Sequence, residues 1–333
     1  MKNLLKNKNI FITGADGFIG SHLVEMLAKC GANITALHYY NSWNEIGWLN
    51  DIDKNTLKNI QLVPGDIRDG ELIRKKIQKV DYVFHLSSLI AIPYSYDAPR
   101  SYVDTNIGGA LNVLEAGKEN DCLIRLIHVS TSEVYGSAQT LPISEKHPLV
   151  GQSPYSASKI SADKLAESYY CSFNLPVVTA RPFNTYGPRQ TARAVIPTIA
   201  SQLIEGNTKI NLGSLDPTRD FNYVSDTVKG MIEIAICPKA EGEVINIGSG
   251  QEWSIGETVE KISKILNIDV EVFQDVNRLR PIKSEVNRLL CDNAKIKKLT
   301  NWKPEVSFEE GLIKTIDWIK RNKSLFSKDQ YSK

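Results

Sequence analysis

TGADGFIGSH, residues 13–22, is the stretch that decides the fold of this chain. It follows a short apolar run, Ile10–Thr13, and opens an amphipathic stretch that continues to Lys29. Glycines at 14, 17 and 20 suit a strand-to-helix turn: the first permits the tight turn, the second lets backbone N–H groups approach a pyrophosphate, and the third lets helix and strand pack closely. A helix N-terminus also attracts anions. The stretch therefore predicts a dinucleotide site.

The apolar runs of the first half alternate with helix-length amphipathic stretches, which is typical of a parallel sheet covered on both faces. The predicted strands are Ile10–Thr13, Ile34–Leu37, Ile60–Val63, Tyr82–Leu86, Ile124–Val129 and Val177–Ala180, and the predicted helices are Gly17–Lys29, Asp69–Lys79, Pro99–Glu119 and Pro154–Phe173. We therefore expect an α/β fold, a Rossmann-type doubly wound parallel sheet with its crevice at the carboxyl ends of the strands.

The rhythm changes after residue 180, where prolines and loop signals become frequent and one clear strand, Glu243–Ile247, remains. This change predicts a Rossmann domain over 1–180, completed by the strand near 243–247, and a smaller C-terminal lobe over 181–330. A capped helix is expected at Ser307–Lys320, with Ser307 as its N-cap.

Composition excludes several classes of function. The 333 residues are 42% hydrophobic and 23% charged, with a formal net charge of +2, so no global field indicates nucleic acid or a membrane. The five cysteines lie far apart without a CxxC pair, which favours reduced thiols in a cytoplasmic protein. The five histidines form no ligand-spaced cluster, and we expect no metal.

The second predicted strand leaves the choice of dinucleotide open. An acid at its end is typical of NAD binding and a nearby arginine of NADP binding, but residues 36–41 read ALHYYN and contain neither. After the third strand, Asp66 is placed to accept a hydrogen bond from the adenine amino group. A helix-capping role for Asp66, ahead of Asp69, is the alternative.

Tyr155 and Lys159 lie four residues apart at the start of a predicted helix, so their side chains share one face. An ammonium group beside a phenol favours the phenolate and lowers the phenol pKa from about 10. Tyr155 is therefore predicted to be a base. Thr131, at the end of the strand Ile124–Val129, is placed to hydrogen-bond the hydroxyl that Tyr155 deprotonates.

These features together resemble the extended short-chain dehydrogenase/reductase family, specifically its nucleotide-sugar branch. The resemblance covers nearly the whole chain: GADGFIG, HLSS at 85–88, STSEVYG at 130–136, YSASK, RPFNTYGPRQ at 181–190, RDFNYVSD at 219–226, Arg280-Pro281 and the DNAK…WKP tail. It implies NAD or NADP in the Rossmann half, with NAD slightly favoured, and a nucleotide diphosphate sugar in the C-terminal lobe. It also implies a homodimer through the helices near 99–119 and 154–173.

The resemblance also assigns residues to the two ligands. The implied cofactor contacts are Gly14, Asp16, Gly17, Phe18, Ile19, Gly20, Asp66, Ile67, Leu86, Ser87, Ser88, Asn106, Tyr155 and Lys159. The implied substrate contacts are Thr131, Asn184, Arg193, Arg219 and Arg280. The guanidinium forks of the three arginines suit a diphosphate. Solvated surface arginines are the alternative.

Thr131-Ser132-Glu133 narrows the reaction. A 4-epimerase needs no carboxylate there, whereas a 4,6-dehydratase must also remove the C5 proton, for which Glu133 is a suitable base. Deoxythymidine-diphosphate-glucose dehydratases carry aspartic acid at the position of Ser132, while guanosine-diphosphate-mannose dehydratases and UDP-glucuronate decarboxylases carry Thr-Ser-Glu. We predict a dehydratase; a decarboxylase, a 4-epimerase and a non-catalytic redox sensor are the alternatives.

Two further stretches indicate the substrate. NSWNEIGWL at 41–49 and RPIKSEV at 280–286 resemble dehydratases of the legionaminic acid pathway, which implies GDP- or UDP-N-acetylglucosamine. The alternative for the first stretch is a surface loop pinned to the core by its two tryptophans.

Overall fold

The computed structural model describes residues 2–278 and 281–326. In this part of the chain the strands are, in order, β1 Asn9–Thr13, β2 Asn33–Tyr39, β3 Gln61–Gly65, β4 Tyr82–His85, β5 Arg125–Val129, β6 Val177–Pro182, β7 Asn184–Tyr186, β8 Lys209–Leu212, β9 Thr218–Arg219, β10 Phe221–Tyr223, β11 Val244–Ile247, β12 Trp253–Ser254, β13 Glu271–Gln274 and β14 Arg288–Leu289. The helices are α1 Lys2–Leu5, α2 Phe18–Lys29, α3 Lys54–Leu57, α4 Gly70–Ile77, α5 Ile92–Asp97, α6 Pro99–Tyr102, α7 Gly109–Lys118, α8 Pro154–Phe173, α9 Val195–Ile204, α10 Val224–Ile236, α11 Ile255–Leu266, α12 Ala294–Leu299 and α13 Phe308–Arg321.

A seven-stranded parallel sheet forms the centre of the molecule, in the order β11-β6-β5-β4-β1-β2-β3. Every residue of β5 and β6 is buried, as expected for strands covered on both faces. Helices α4, α7 and α8 pack on one face, where Ile73, Val113 and Ala166 meet Val83 of β4. Helices α2 and α10 cover the other. The predicted Rossmann-type fold is confirmed.

Helix α8 matches its predicted bounds because both of its ends are specified locally. Ser153 and Ser156 form a reciprocal capping box, and Pro154 occupies the first turn, where its missing N–H has no cost. Asn174 ends the helix in the left-handed conformation. The predicted helix at 99–119 is instead divided, since a π-helical segment, Val103–Gly108, separates α6 from α7.

The C-terminal lobe contains only small sheets in the described residues, two of two strands and one of three. The predicted strand at 243–247 is β11, which joins the edge of the large sheet beside β6. One continuous hydrophobic cluster contains Leu27 from the first half and Met231, Trp302 and Trp318 from the second. The domain boundary at 180 stays a prediction. Ser307 caps α13 by accepting from the Glu310 N–H, as predicted.

The loop at 41–49 is anchored at one of its two tryptophans. Trp48 packs edge-on against Trp318 of α13, with ring centroids 5.4 Å apart, whereas Trp43 is 84% exposed. The loop closes on itself at Asn41, whose Oδ1 accepts from the backbone N–H groups of Trp43 and Glu45. The alternative of a loop pinned by two tryptophans therefore holds for Trp48 and is wrong for Trp43.

In the described ranges, none of the helices has the length and apolar character needed to cross a bilayer. The homodimer stays a prediction. On the helices that the resemblance assigns to it, Val103, Leu111 and Phe173 are exposed apolar side chains.

Candidate active site

A cavity of about 850 Å³ opens at the carboxyl ends of the strands, as the doubly wound topology requires. One end is lined by the glycine turn after β1. Its middle is lined by Thr131, Glu133, Tyr155 and Lys159, and its far end by Asn184, Arg193 and neighbouring residues of the C-terminal lobe. The strand order thus brings together segments that lie far apart in the sequence.

Each predicted glycine has a distinct structural reason. Gly14 has φ +64°, and a Cβ there would lie 2.8 Å from the Ser87 backbone nitrogen. A Cβ on Gly20 would lie 2.0 Å from the Gly14 carbonyl oxygen, so only glycine lets α2 approach β1. Gly17 faces the cavity and precedes α2, whose first N–H groups receive no side-chain cap among the described residues. The turn therefore fits a dinucleotide pyrophosphate.

Most of the other predicted cofactor residues also line this cavity, namely Asp16, Phe18, Ile19, Asp66, Ile67, Leu86, Ser87 and Ser88. The capping carboxylate of α4 is Asp69, not Asp66, because Asp69 accepts from the Leu72 N–H. Asp66 is bonded to Arg68, which lowers the Asp66 pKa.

Asn106 lies within the π-helical segment and is 2% exposed. Its side chain accepts from the Leu89 N–H and donates to the Leu89 carbonyl oxygen and the Ser158 hydroxyl. This places Asn106 behind the cavity wall, where it holds the segment after β4 against α8. Its predicted contact with cofactor stays a prediction.

Lys159 is fixed by the end of β5. Its Nζ donates to the Val129 carbonyl oxygen at 2.8 Å, and the side chain is buried. Burial disfavours the charged ammonium and lowers the pKa of Lys159 to about 8, partly offset by the negative charge of Asp163. The group therefore titrates close to neutral pH.

Tyr155 lines the same cavity, but the predicted fall in its pKa is wrong for this structure. Burial raises the pKa of the phenol above its ordinary value, and the nearby Glu133 carboxylate raises it further. A hydrogen bond with Thr131 acts in the opposite direction. Desolvation dominates here because the ring is almost fully enclosed, with Tyr102 packed edge-on at 6.2 Å between centroids.

The stretch after β5 combines a helix cap with a carboxylate that lines the cavity. Thr131 Oγ1 accepts from the Glu133 N–H at 3.2 Å and so caps the 3-10 helix Ser132–Tyr135. Because Oγ1 accepts this bond, its own proton is available for Tyr155. Ser132 and Glu133 do not supply that cap. Both line the cavity; Ser132 is 2% exposed and Glu133 is half-buried.

A buried polar network behind Lys159 was missed at the sequence level. His128 Nε2 lies 3.1 Å from an Asp163 carboxylate oxygen, and Arg181 donates to the other at 3.0 Å. Burial raises the Asp163 pKa, but these two partners outweigh it and the net shift is downward. Asp163 follows Lys159 by four residues, a helical spacing that was a readable signal.

The far end of the cavity continues into a second cavity of about 510 Å³ that shares Asn184 and Arg193 with the first. Arg219, 7% exposed, lines it and forms an ion pair with Glu285 at 3.4 Å. Arg278 also lines this cavity and was not predicted. Asn184 Oδ1 is a buried acceptor without a hydrogen-bond partner among the described residues. Arg280 lies outside the described residues.

Asp220, directly after Arg219, holds this end of the lobe together. One carboxylate oxygen accepts from the N–H and the hydroxyl of Ser249, and the other accepts from the N–H groups of Gly250 and Cys291. Burial nevertheless raises the pKa of Asp220 to about 6, because desolvation outweighs these bonds. Three distant segments are thus tied beside Arg219.

The described residues contain no group of three or more His, Cys, Asp or Glu side chains arranged to hold a metal ion. The absence of a metal stays a prediction.

Comparison with known proteins agrees with this geometry. The family model described as GDP-mannose 4,6 dehydratase matches residues 11–315, and the chain belongs to this family of extended short-chain dehydrogenases/reductases. Its members act on nucleotide sugars as dehydratases, decarboxylases or epimerases.

Relatives with different reactions are about equally similar. The chain is 31% identical to a dTDP-glucose 4,6-dehydratase of an Actinoplanes species (95% of this chain, 98% of that one). It is 32% identical to a UDP-N-acetyl-alpha-D-glucosaminuronate decarboxylase of Bacillus cytotoxicus (94% and 98%). The structure of a UDP-glucuronic acid 4-epimerase from Bacillus cereus, in complex with UDP-glucuronic acid and NAD, superimposes with a TM-score of 0.85 at 29% identity (94% and 99%).

The chain spans about half the length of other curated relatives it matches. It covers 47% of a trifunctional Arabidopsis thaliana enzyme that includes UDP-glucose 4,6-dehydratase, with 31% identity over 95% of this chain.

Proposed function

We propose that this protein is an NAD(P)-dependent nucleotide-hexose 4,6-dehydratase that converts a nucleotide-linked hexose into its 4-keto-6-deoxy form. The observation that carries the proposal is the carboxylate of Glu133 in the same cavity as Thr131, Tyr155 and Lys159. Oxidation at C4 needs only the last three residues, so the carboxylate supplies a function that oxidation alone does not require.

The residues that line the two cavities support a place for each ligand. The glycine turn holds the dinucleotide pyrophosphate, and the sugar lies in the middle, between Tyr155 and Glu133. The nucleotide diphosphate extends past Asn184 into the C-terminal lobe, where Arg193 and Arg219 line the second cavity. Arginine forks bind phosphate oxygens in a bidentate manner, which compensates for the small net charge of the whole chain.

Oxidation at C4 is the first step. Thr131 donates a hydrogen bond to the phenol oxygen of Tyr155, and Tyr155 removes the proton of the 4-hydroxyl. Lys159, held by the Val129 carbonyl, places a positive charge behind this site and favours the phenolate. When bound, the oxidised dinucleotide supplies a hydride acceptor for C4, later a hydride donor for C6, and a positive ring charge that opposes the desolvation of Tyr155.

Elimination follows from the new ketone, which acidifies the C5 proton. Glu133 removes this proton, the C5–C6 double bond forms, and the C6 hydroxyl leaves with a proton as water. Because the Ser132 hydroxyl is a weak acid, Glu133 also delivers the proton to the departing oxygen, directly or through Ser132. The bound dinucleotide would then supply the hydride for C6 and solvent the proton for C5, which would leave the dinucleotide in its original oxidation state.

The substrate we propose is GDP- or UDP-N-acetylglucosamine, for a surface glycan of the legionaminic acid type. The support is the resemblance of residues 41–49 and 280–286 to that subgroup. Of these residues, Arg280 lies outside the described part of the chain.

The test is turnover of a panel of nucleotide hexoses in deuterated water, with mass spectrometry of the products. We expect loss of one water and gain of one deuterium at C5. In Glu133→Gln the elimination should fall by about 100-fold or more while reduced nicotinamide still accumulates on the enzyme, because C4 oxidation does not need the carboxylate.

The matched control is Glu145→Gln, a half-buried carboxylate that lines a different cavity. Glutamine there can still accept from the Asn246 N–H, so turnover should remain near wild type. Absence of a 4-keto product with every nucleotide hexose would contradict the proposal. Release of carbon dioxide from a UDP-uronate would identify a decarboxylase, and simple inversion at C4 would identify an epimerase.

A further inference from the structure

The end of β2 lacks both an acid and an arginine, the two side chains that usually distinguish NAD from NADP. In this fold an acid at that position hydrogen-bonds the adenosine ribose, and an arginine nearby accommodates the extra phosphate of NADP. Here β2 ends at Tyr39 and is followed by Tyr40 and Asn41. Leu37, His38 and Tyr39 all line the cofactor end of the cavity, yet none carries a carboxylate.

A carboxylate reaches this position from another segment. Asp16, in the glycine turn, places its Oδ2 3.0 Å from the backbone nitrogen of Tyr39 and accepts a hydrogen bond from it. The Asp16 carboxylate therefore lies at the last residue of β2 and also lines the cavity. Its other oxygen, Oδ1, has acceptor capacity for a ribose hydroxyl.

The loop at 41–49 holds Asp16 in this position. The Trp48 N–H donates to the Asp16 carbonyl oxygen at 2.9 Å. Gly47 has φ +57°, and a Cβ there would lie 2.6 Å from the same oxygen, so the close approach requires glycine. With Trp48 packed against Trp318, the loop fixes the backbone of the turn from outside.

One cation at this end of the cavity, Arg68, already forms an ion pair with a carboxylate. Arg68 lines the cavity, but its Nε and Nη2 both donate to the Asp66 carboxylate, at 3.0 and 2.5 Å. Binding a 2′-phosphate through Arg68 would require this bidentate pair to break. The same phosphate would face the negative charge of Asp16 at short range, where like charges repel.

We infer that Asp16 is the residue that makes this enzyme select NAD over NADP, by accepting from the ribose hydroxyls and repelling a 2′-phosphate. The inference rests on the dinucleotide binding of the proposed function and adds the identity of the dinucleotide and the residue that sets it. An acid contributed by the glycine turn thus replaces the one that β2 lacks.

The experiment is a competition titration on the holoenzyme, with the bound dinucleotide identified by mass spectrometry, so that no turnover is needed. Wild type should hold NAD at least about tenfold more tightly than NADP, and Asp16→Asn should lose about tenfold of this preference. Asparagine can still accept from the Tyr39 N–H, so the variant removes the charge and keeps the turn.

Arg68→Gln is the control variant, because Arg68 is the other residue that could set the choice of dinucleotide by binding the 2′-phosphate. If Asp16 sets the preference, the ratio of NAD to NADP affinity in this variant stays within about twofold of wild type. Equal or tighter binding of NADP by wild type, or an unchanged ratio in Asp16→Asn, would overturn the inference alone. Binding of neither dinucleotide would overturn it together with the proposed function, whereas NAD selection without any 4-keto product would leave the inference standing.

Discussion

The sheet half and the C-terminal lobe line one cavity but hold their functional side chains in different ways. Thr131, Tyr155 and Lys159 sit at the ends of a buried strand and a twenty-residue helix, and Lys159 is bonded to the backbone of β5. Arg219 lies in a two-residue strand, and the side chain of the next residue, Asp220, accepts hydrogen bonds from two other segments. The residues proposed for oxidation are thus positioned by the core, whereas the segments of the proposed substrate end are joined through the side chain of Asp220.

The largest effect should come from the core-built side. Tyr155→Phe removes the phenol that we propose deprotonates the 4-hydroxyl, and we expect turnover to fall by about 1,000-fold with little change in stability. The matched control is Tyr102→Phe, the same change on the adjoining ring. Rates of 4-keto sugar formation measure both. A Tyr155→Phe rate close to that of Tyr102→Phe would remove the basis for assigning oxidation to this half.

On the lobe side, Asp220→Asn should act through structure. The asparagine NH₂ must face a backbone N–H that donates to the carboxylate in the wild type, so a buried donor loses its acceptor, at a cost of about 1–3 kcal/mol in unfolding free energy. We expect a lower midpoint in urea and a raised KM for nucleotide sugar. Asp216→Asn, on an exposed aspartate nearby, should leave both unchanged.

If the KM of Asp220→Asn stays at the wild-type value while stability falls, the hydrogen bonds of Asp220 do not position the proposed substrate end. The two regions would then not differ in how they hold their functional side chains.

The pH dependence of turnover should reflect Lys159, in the sheet half of the molecule. Because burial lowers the pKa of Lys159 to about 8, its ammonium is lost as pH rises through that value. Turnover should therefore decrease by about tenfold per pH unit above roughly pH 8. Lys164→Met, on the exposed part of the same helix, should keep this limb, whereas Lys159→Arg should move it to higher pH.

The smallest expected effect lies where the two regions meet. His22 of α2 is bonded to the carbonyl oxygen of Pro188, and burial lowers its pKa from 6.5 to about 4. Between these values the unfolded chain binds more protons than the folded one, so this contribution is complete above pH 6.5 and is lost as pH falls towards 4.

We expect wild type to lose about 1–2 kcal/mol more than His22→Gln between pH 7 and pH 5, measured as unfolding free energies in urea. Using the difference between the two proteins removes the opposite trend of Asp220, whose raised pKa makes it less stabilising as pH rises through 6. Equal losses in the two proteins would show that His22 is not neutral in the folded state.

The sequence predicted the elements whose ends are specified by nearby residues better than those that depend on distant contacts. The bounds of α8 were readable because Ser153, Pro154 and Asn174 specify its ends locally. The division of the helix at 99–119 was not, since nothing in residues 103–108 marks a π-helical segment. The doubly wound parallel sheet followed from the alternation of apolar runs with helices in the first half of the chain, whereas the order of its strands was not predicted.

At the site, the residues at strand ends and in the glycine turn were predicted to face one crevice, and they do. The raised pKa of Tyr155 was missed because desolvation depends on the whole enclosure and not on the spacing of two residues. Arg278 and the role of Asp220 were also missed, since both depend on contacts between distant segments of the lobe.

The contact between Trp48 and Trp318 has a consequence for how the molecule can be divided. It joins the loop that holds the cofactor turn to the last long helix of the chain, while β11 supplies an edge of the first half's own sheet. A fragment ending near residue 180 would lack β11, so it would expose the edge of β6 and one face of α2. We therefore expect a substitution of Trp318 in α13 to disturb the loop at 41–49 and, through it, the glycine turn.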